Sequence, residues 1–148
     1  MKKIIESQIT LLSHSGNTIS PIRICYDDDE VEISLEYSGT RYQGMGTDFM
    51  WADAFWDLQR KLPDGTSLAC CMTCRHGNMC PYGNVENQLF CTKDALITSK
   101  YDMIDLIDRD KSFYDRVVAT FDYCNDFVRQ SDDHYTYSDY YYLRKKDL

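Results

Sequence analysis

The N-terminal part of the chain alternates apolar and polar positions with a period of two, which is the pattern of strands that bury one face. In the clearest case, Val31, Ile33 and Leu35 alternate with acidic and hydroxyl residues. The segments 4–12 and 22–26 are two further candidate strands that precede it. Together these segments predict an antiparallel sheet.

Polar runs mark the predicted turns of this sheet. Ser-His-Ser-Gly-Asn over 13–17 follows the first strand, and Asp-Asp-Asp-Glu over 27–30 has the length of a hairpin connection. A fourth strand is predicted over 40–43. We expect Gly44 and Gly46 to end it, because glycine interrupts a strand.

Two longer segments show the residue spacing of amphipathic helices. Apolar residues at intervals of three and four predict a helix over 48–62, with Thr47 or Asp48 as its N-cap. A second such helix is predicted over 110–129, and a shorter one over 102–107. The apolar stripe of the second helix consists of Phe113, Val117, Phe121, Cys124 and Val128.

These elements predict a single domain over residues 1–148 of the α+β class. In this fold, an antiparallel sheet carries the two amphipathic helices on one face. A cysteine-rich segment leaves a strand-like run at 67–72 and returns through another at 88–91. We therefore predict a cysteine-rich, metal-binding excursion from the sheet.

The net charge of −8 at pH 7 argues against several classes of partner. Nucleic acids and anionic membranes are bound through clustered Lys and Arg, which an acidic chain does not favour. No run approaches the roughly 20 apolar residues that span a bilayer, and Glu6 interrupts any signal peptide. We expect a cytoplasmic protein. We also expect a protein partner, and a basic partner would suit the acidic charge of this chain. The sequence does not indicate an oligomeric state.

Four cysteines close together are the strongest chemical signal in the chain. Cys71, Cys74, Cys80 and Cys91 follow the spacing C-x2-C-x5-C-x10-C. In a reducing compartment such a group is typical of a metal site, and an odd total of seven cysteines fits a disulfide framework poorly. Four thiolates fill a tetrahedral zinc ion and leave no position for substrate water, so we predict a structural zinc.

Other interpretations of this segment stay open. An iron–sulfur cluster is the alternative to zinc, because four thiolates suit both. His76 is a further candidate ligand, and Cys70 can replace Cys71. A third class is an enzyme with a reactive cysteine, in which His76 would activate Cys74 or Cys80.

The remaining cysteines and the tyrosine-rich tail have structural interpretations. We expect Cys25 to lie in the core from its strand, and Cys124 from its predicted helical stripe. Residues 134–148 concentrate five of the 12 tyrosines. We favour a tail that folds back on the sheet over a tail that forms an interface.

Three short motifs resemble a family of small, uncharacterised bacterial proteins. They are Cys-Cys-Met-Thr-Cys-Arg-His-Gly at 70–77, Cys-Pro-Tyr-Gly-Asn at 80–84 and Phe-Cys-Thr-Lys at 90–93. The resemblance implies strands and an amphipathic helix before the cysteine segment, and it implies no established activity. A looser similarity to immunity-like proteins encoded beside bacterial toxins implies that kind of role. The sequence departs from the immunity-like pattern by its additional cysteines, Cys74, Cys80 and Cys91. These cysteines favour a metal site over an immunity-like role.

Overall fold

The structure, a computed structural model, describes residues 1–47, 51–83 and 88–146, without the side chains of 144–146. The chain divides into two compact units, Met1–Ala69 and Cys70–Leu148. Among the described residues, the first unit has a five-stranded sheet and the second a three-stranded sheet. The α+β class and the antiparallel sheet are therefore confirmed. The single domain over 1–148 stays a prediction.

The first unit is an antiparallel sheet with one helix against it. Its elements are β1 (Lys3–Ser13), β2 (Gly16–Tyr26), β3 (Glu30–Tyr37), β4 (Thr40–Thr47), α1 (Trp51–Lys61) and β5 (Ser67–Ala69). The strand order is β4-β3-β2-β1-β5, and α1 lies against β3 and β4. The predicted polar turns are both present. Ser13 pairs with Gly16 across the first turn. In the second, the Asp27 carboxylate accepts the backbone N–H groups of Asp29 (2.8 Å) and Glu30 (2.9 Å).

The alternating pattern and the helical stripe meet in one apolar core in this unit. Ile24 and Ile33, on neighbouring strands, are fully buried, and so are Phe55 and Leu58 of α1. Burying such side chains contributes about 1.5–3 kcal/mol each, which makes this stripe the main reason that α1 forms. The predicted helix is thus confirmed, whereas its proposed cap at Asp48 lies outside the described residues.

The prediction that glycine ends the fourth strand was wrong, because β4 continues through Gly44 and Gly46 to Thr47. A Cβ atom on Gly44 would lie 2.2 Å from the backbone oxygen of Ala54 and 2.6 Å from the backbone nitrogen of Leu58. The absence of a side chain at Gly44 therefore allows α1 to contact the sheet backbone.

The second unit contains short elements around a separate apolar cluster. They are β6 (Gly77–Asn78), β7 (Leu89–Cys91), α2 (Lys100–Arg109), β8 (Val117–Val118) and α3 (Asp139–Lys146). The cluster consists of Phe90, Ile97, Met103, Leu106 and Phe113. Tyr135 and Tyr137 of the tail pack against this cluster. None of the helices in the described part of the chain has the length and apolar run that crossing a membrane requires.

The short helix predicted over 102–107 is confirmed as α2, but the helix predicted over 110–129 was wrong. Phe113–Arg116 forms a single 3-10 turn, and β8 follows it and pairs with β7. Of the five apolar residues on the predicted stripe, Phe113 alone is buried. Without a buried face a helix loses its main source of stability. The sheet therefore lacks the second of its two predicted helices.

Side-chain hydrogen bonds replace helical ones in this region. The Asp110 carboxylate accepts both the backbone N–H (3.0 Å) and the hydroxyl (2.8 Å) of Ser112. The Asp122 carboxylate likewise accepts the backbone N–H of Ala119 at 3.1 Å. Such local hydrogen bonds favour a turn over a helix. They cannot be predicted from the spacing of apolar residues.

Arg116 lies between two carboxylates in the second unit. Its Nε atom donates to Asp110 Oδ2 at 3.0 Å, and its two terminal nitrogens bind the carboxylate of Asp94. The hydrogen bond from Arg116 lowers the pKa of Asp94. Hydrogen bonds from Ser112, followed by the one from Arg116, lower the pKa of Asp110. The bridge therefore makes folding dependent on the ionisation of two carboxyl groups.

We expect the variant Arg116→Gln to lose less stability in acid than the natural protein. A carboxyl group whose pKa is lowered by folding stabilises the protein above its unfolded pKa of about 3.9 and ceases to do so as pH falls through the folded value. Removing the guanidinium removes part of this contribution. Thermal melting measured from neutral to acidic pH checks the prediction, with Arg109→Gln as the control because it removes only an exposed pair with Asp105. Equal acid slopes for Arg116→Gln and the natural protein would contradict it.

Candidate thiol site

The cysteine segment begins with one tight turn. Cys71–Thr73 is a 3-10 turn, and the backbone N–H of Cys74 donates to the carbonyl oxygen of Cys71 at 3.4 Å. The Thr73 hydroxyl accepts the backbone N–H of Cys70 at 3.2 Å and stabilises the start of the turn. The two cysteines of the C-x2-C motif therefore lie at the two ends of a single turn.

The main chains of three cysteines meet at Gly77. The backbone N–H of Gly77 donates to the carbonyl oxygen of Cys74 at 3.0 Å, and Gly77 pairs with Cys91 across β6 and β7. A Cβ atom on Gly77 would lie only 2.0 Å from the carbonyl oxygen of Cys71. We call Cys71, Cys74 and Cys91 the thiol cluster.

The thiol cluster contains three of the four cysteines predicted as metal ligands. Cys80 is half-buried and packs against the apolar cluster that contains Phe90 and Met103. Cys70, the alternative to Cys71, is fully buried. The main chains of the three residues in the thiol cluster therefore all lie next to Gly77. Cys80 instead contacts apolar side chains.

A loop that sequence reasoning did not associate with this site is attached to the C-x2-C turn. The carbonyl oxygen of Asp122 accepts the backbone N–H of Cys71, and that of Val128 accepts the backbone N–H of Arg75, both at 2.8 Å. We call residues 122–128 the Cys124 loop. Cys124 is exposed, so the prediction that it lies in the core was wrong. The cause is the absence of the helix that was expected to bury it.

Burial and mutual repulsion determine the ionisation of these thiols. Burial raises the pKa of Cys71, and the nearby sulfurs of Cys70, Cys74 and Cys91 raise it further. Burial also raises the pKa of Cys74, to which Cys91 and Cys124 add. Cys70 is the most enclosed, and burial raises its pKa to about 12. Burial therefore disfavours the thiolate forms of Cys70, Cys71 and Cys74 when no cation lies beside them.

His76 lies at the edge of the thiol cluster, in a cavity of about 520 Å³ that is also lined by Lys93 and residues 125–128. Burial lowers the pKa of His76, and electrostatic interactions with His134 and Arg75 lower it further. The imidazole is thus neutral at pH 7, as a metal ligand must be. Its role as a ligand stays a prediction.

Within residues 1–47, 51–83 and 88–146, no group of three or more His, Cys, Asp or Glu side chains stands in an arrangement that could hold a metal ion. The metal site of Cys71, Cys74, Cys80 and Cys91 therefore stays a prediction. The donor chemistry of the thiol cluster fits zinc or an iron–sulfur cluster. Binding either group would require the thiols to change rotamer toward a common point.

One residue that supports the site had no signal in the sequence. Gln130 is fully buried, and its side-chain nitrogen donates to the carbonyl oxygens of Met72 (3.2 Å) and Cys74 (3.3 Å). Its backbone N–H donates to the carbonyl oxygen of Thr73 at 3.3 Å. Gln130 therefore stabilises the C-x2-C turn although it lies more than 50 positions away in the sequence. No local sequence motif predicts these hydrogen bonds.

No protein-family model, no curated protein and no solved structure matches this chain. The resemblance to a family of small bacterial proteins and the similarity to immunity-like proteins therefore stay predictions.

Proposed function

We propose that the protein binds one structural zinc ion, with Cys71, Cys74 and Cys91 as three of the ligands. The single observation that carries this proposal is the meeting of their main chains at Gly77. In this proposal, one turn supplies two of the thiolates and the adjacent strand β7 supplies the third, and a further ligand completes the tetrahedral ion.

The ionisation of the thiols is compatible with this proposal. The raised pKa values of Cys71 and Cys74 describe the protein without a cation. A divalent ion reverses the sign of the local charge, so that each bound thiol releases its proton. Zinc binding is therefore expected to release protons and to grow stronger as pH rises. It also requires rotation of the thiols from the arrangement described above.

In this proposal the zinc stabilises a binding or regulatory module of the cytoplasm. The net charge of −8 supports a partner of basic charge. The tail supplies little of the tyrosine surface expected for an interface, because Tyr140 and Tyr141 are buried. Tyr82 and Tyr114 are instead exposed at 63% and 62%, and the Tyr82 hydroxyl donates to the Asp108 carboxylate at 3.4 Å. We propose that the partner binds a surface on which exposed tyrosines and acidic residues stand together, as Tyr82 and Asp108 do.

Metal analysis of protein purified without oxygen tests the zinc proposal. We expect a colourless protein with about one zinc ion per chain, and a Cys74→Ser variant with little bound zinc and a lower melting temperature. Cys25→Ser, in the first unit, is the matched control and is expected to keep its zinc. Absence of zinc from the natural protein would reject the proposal. A brown protein containing iron and sulfide would instead support the iron–sulfur alternative.

A further inference from the structure

We infer that the open face of the sheet in the first unit binds an extended, basic peptide segment of a protein partner. The open face is the one turned away from α1, and it carries the side chains that alternate with the buried residues of β2 and β3. This binding site goes beyond the proposed function. It lies within Met1–Ala69 and does not depend on the proposed zinc ion.

The sheet opens between β2 and β3. Their ladder ends at the pair of Ile22 and Leu35, and continuing the same register would place Pro21 opposite Glu36. Proline has no N–H to donate, and the carbonyl oxygen of Glu36 instead accepts the Ser20 hydroxyl at 2.8 Å. Because the proline ends the ladder, the first part of β2 continues without β3 beside it.

This first part of β2 has one free edge. Residues 16–20 pair with β1 on one side, and no described strand pairs with them on the other. An unpaired strand edge presents unused N–H and C=O groups, which can pair with another extended chain. Residues 16–19 are all exposed, and the exposed fraction of Ile19 is 69%. An extended peptide that added here would become a short additional strand.

A cavity of about 740 Å³ lies on the open face where the ladder ends. Pro21 and Glu36, the two residues at that point, both line it. The charged residues of its lining come from all four long strands and are Glu6, Arg23, Glu36 and Arg41. A peptide that leaves the free edge of β2 at Pro21 therefore places its next side chains among these charges.

The charges of the cavity determine which peptide fits. Arg41 already has a partner, because its Nη2 atom lies 3.6 Å from Glu32 Oε1. Among the described residues, Arg23 and the carboxylates of Glu6 and Glu36 take part in no ion pair. The groups left for a ligand are thus two carboxylates and one guanidinium. This excess of negative charge favours a segment that carries lysine or arginine.

Fluorescence anisotropy on the full chain tests the inference with two labelled hexapeptides. One alternates valine and lysine and the other alternates valine and glutamate, so both favour an extended chain and they differ in charge. We expect the lysine peptide to bind about 10-fold more tightly, because exposed ion pairs replace repulsion.

Charge variants locate this binding. We expect Glu6→Gln and Glu36→Gln each to weaken binding of the lysine peptide about threefold, the usual effect of one exposed ion pair. Asp64→Asn is the matched control, because it removes an exposed carboxylate of the same unit that lies outside the cavity. It is expected to bind the lysine peptide like the natural protein.

Hydrogen exchange, measured by mass spectrometry on the natural protein, reports the contact with β2. We expect the bound lysine peptide to slow exchange of the backbone amides over 16–20 and to leave exchange in β7 unchanged. Equal binding of the two peptides, binding that ignores both glutamate substitutions, or unchanged exchange over 16–20 would each overturn the inference. Zinc content is measured separately, so failure here leaves the zinc proposal standing.

Discussion

Gly77→Ala is expected to destabilise the second unit by about 3 kcal/mol, at the upper end of the usual effect of overpacking. The new Cβ atom would lie 2.0 Å from the carbonyl oxygen of Cys71 and 3.1 Å from its carbonyl carbon. Both are backbone atoms, and Cys71 is fixed on its other side by the hydrogen bond to Asp122. Neither partner can move without breaking the C-x2-C turn or the pairing of β6 with β7.

The same substitution is expected to remove zinc binding, because it separates the residues of the thiol cluster. Chemical denaturation and zinc competition on the same preparation measure the two effects. Gly83→Ala is the matched control within this unit. Gly83 has a φ of +140° and no atom within 4 Å of the added Cβ, so it reports backbone strain without a clash. A Gly77→Ala protein that melts and binds zinc like the natural one would contradict this account of the site.

Gly44→Ala is expected to destabilise the first unit by about 3 kcal/mol. Its Cβ atom would lie 2.2 Å from the carbonyl oxygen of Ala54 and 2.7 Å from Leu58 Cβ. These atoms belong to consecutive turns of α1, so relief of the clash requires the whole helix to move from β4. Such a shift opens a gap in the core around Leu58, which is fully buried.

Urea unfolding followed by tryptophan fluorescence measures this effect in the first unit, since the two tryptophans of the chain, Trp51 and Trp56, both lie in α1. Gln43→Ala is the control, because Gln43 precedes Gly44 in β4 and its side chain is exposed. We expect that change to stay within about 0.5 kcal/mol. An equal midpoint for Gly44→Ala and Gln43→Ala would show that α1 does not need this close approach.

Local patterns predicted the first unit well. The alternation over β3 and the polar runs at 13–17 and 27–30 correspond to real strands and turns, since residues near one another in sequence determine each hairpin. Gly44 was misinterpreted for the opposite reason. In the sequence, Gly44 interrupts the alternation of apolar and polar residues. Only the packed structure shows that its missing side chain makes room for α1.

The second unit was predicted less well because its elements are short and depend on distant partners. The strands β6 and β8 have two residues each, too few for any periodicity. The stripe from Phe113 to Val128 had helical spacing, but tertiary pairing of β8 with β7 and bonds made by Asp110 and Asp122 prevailed over it.

The sequence by itself determined the antiparallel sheet of the first unit, helix α1 and the presence of a cysteine segment between two strand-like runs. It did so because alternation, helical spacing and residue type are local properties. Only the tertiary structure decided that Cys71, Cys74 and Cys91 meet at Gly77, that Cys80 packs with apolar side chains and that the Cys124 loop is bonded to the turn. Those positions depend on hydrogen bonds between segments more than 50 residues apart, and spacing along a chain does not report proximity in space.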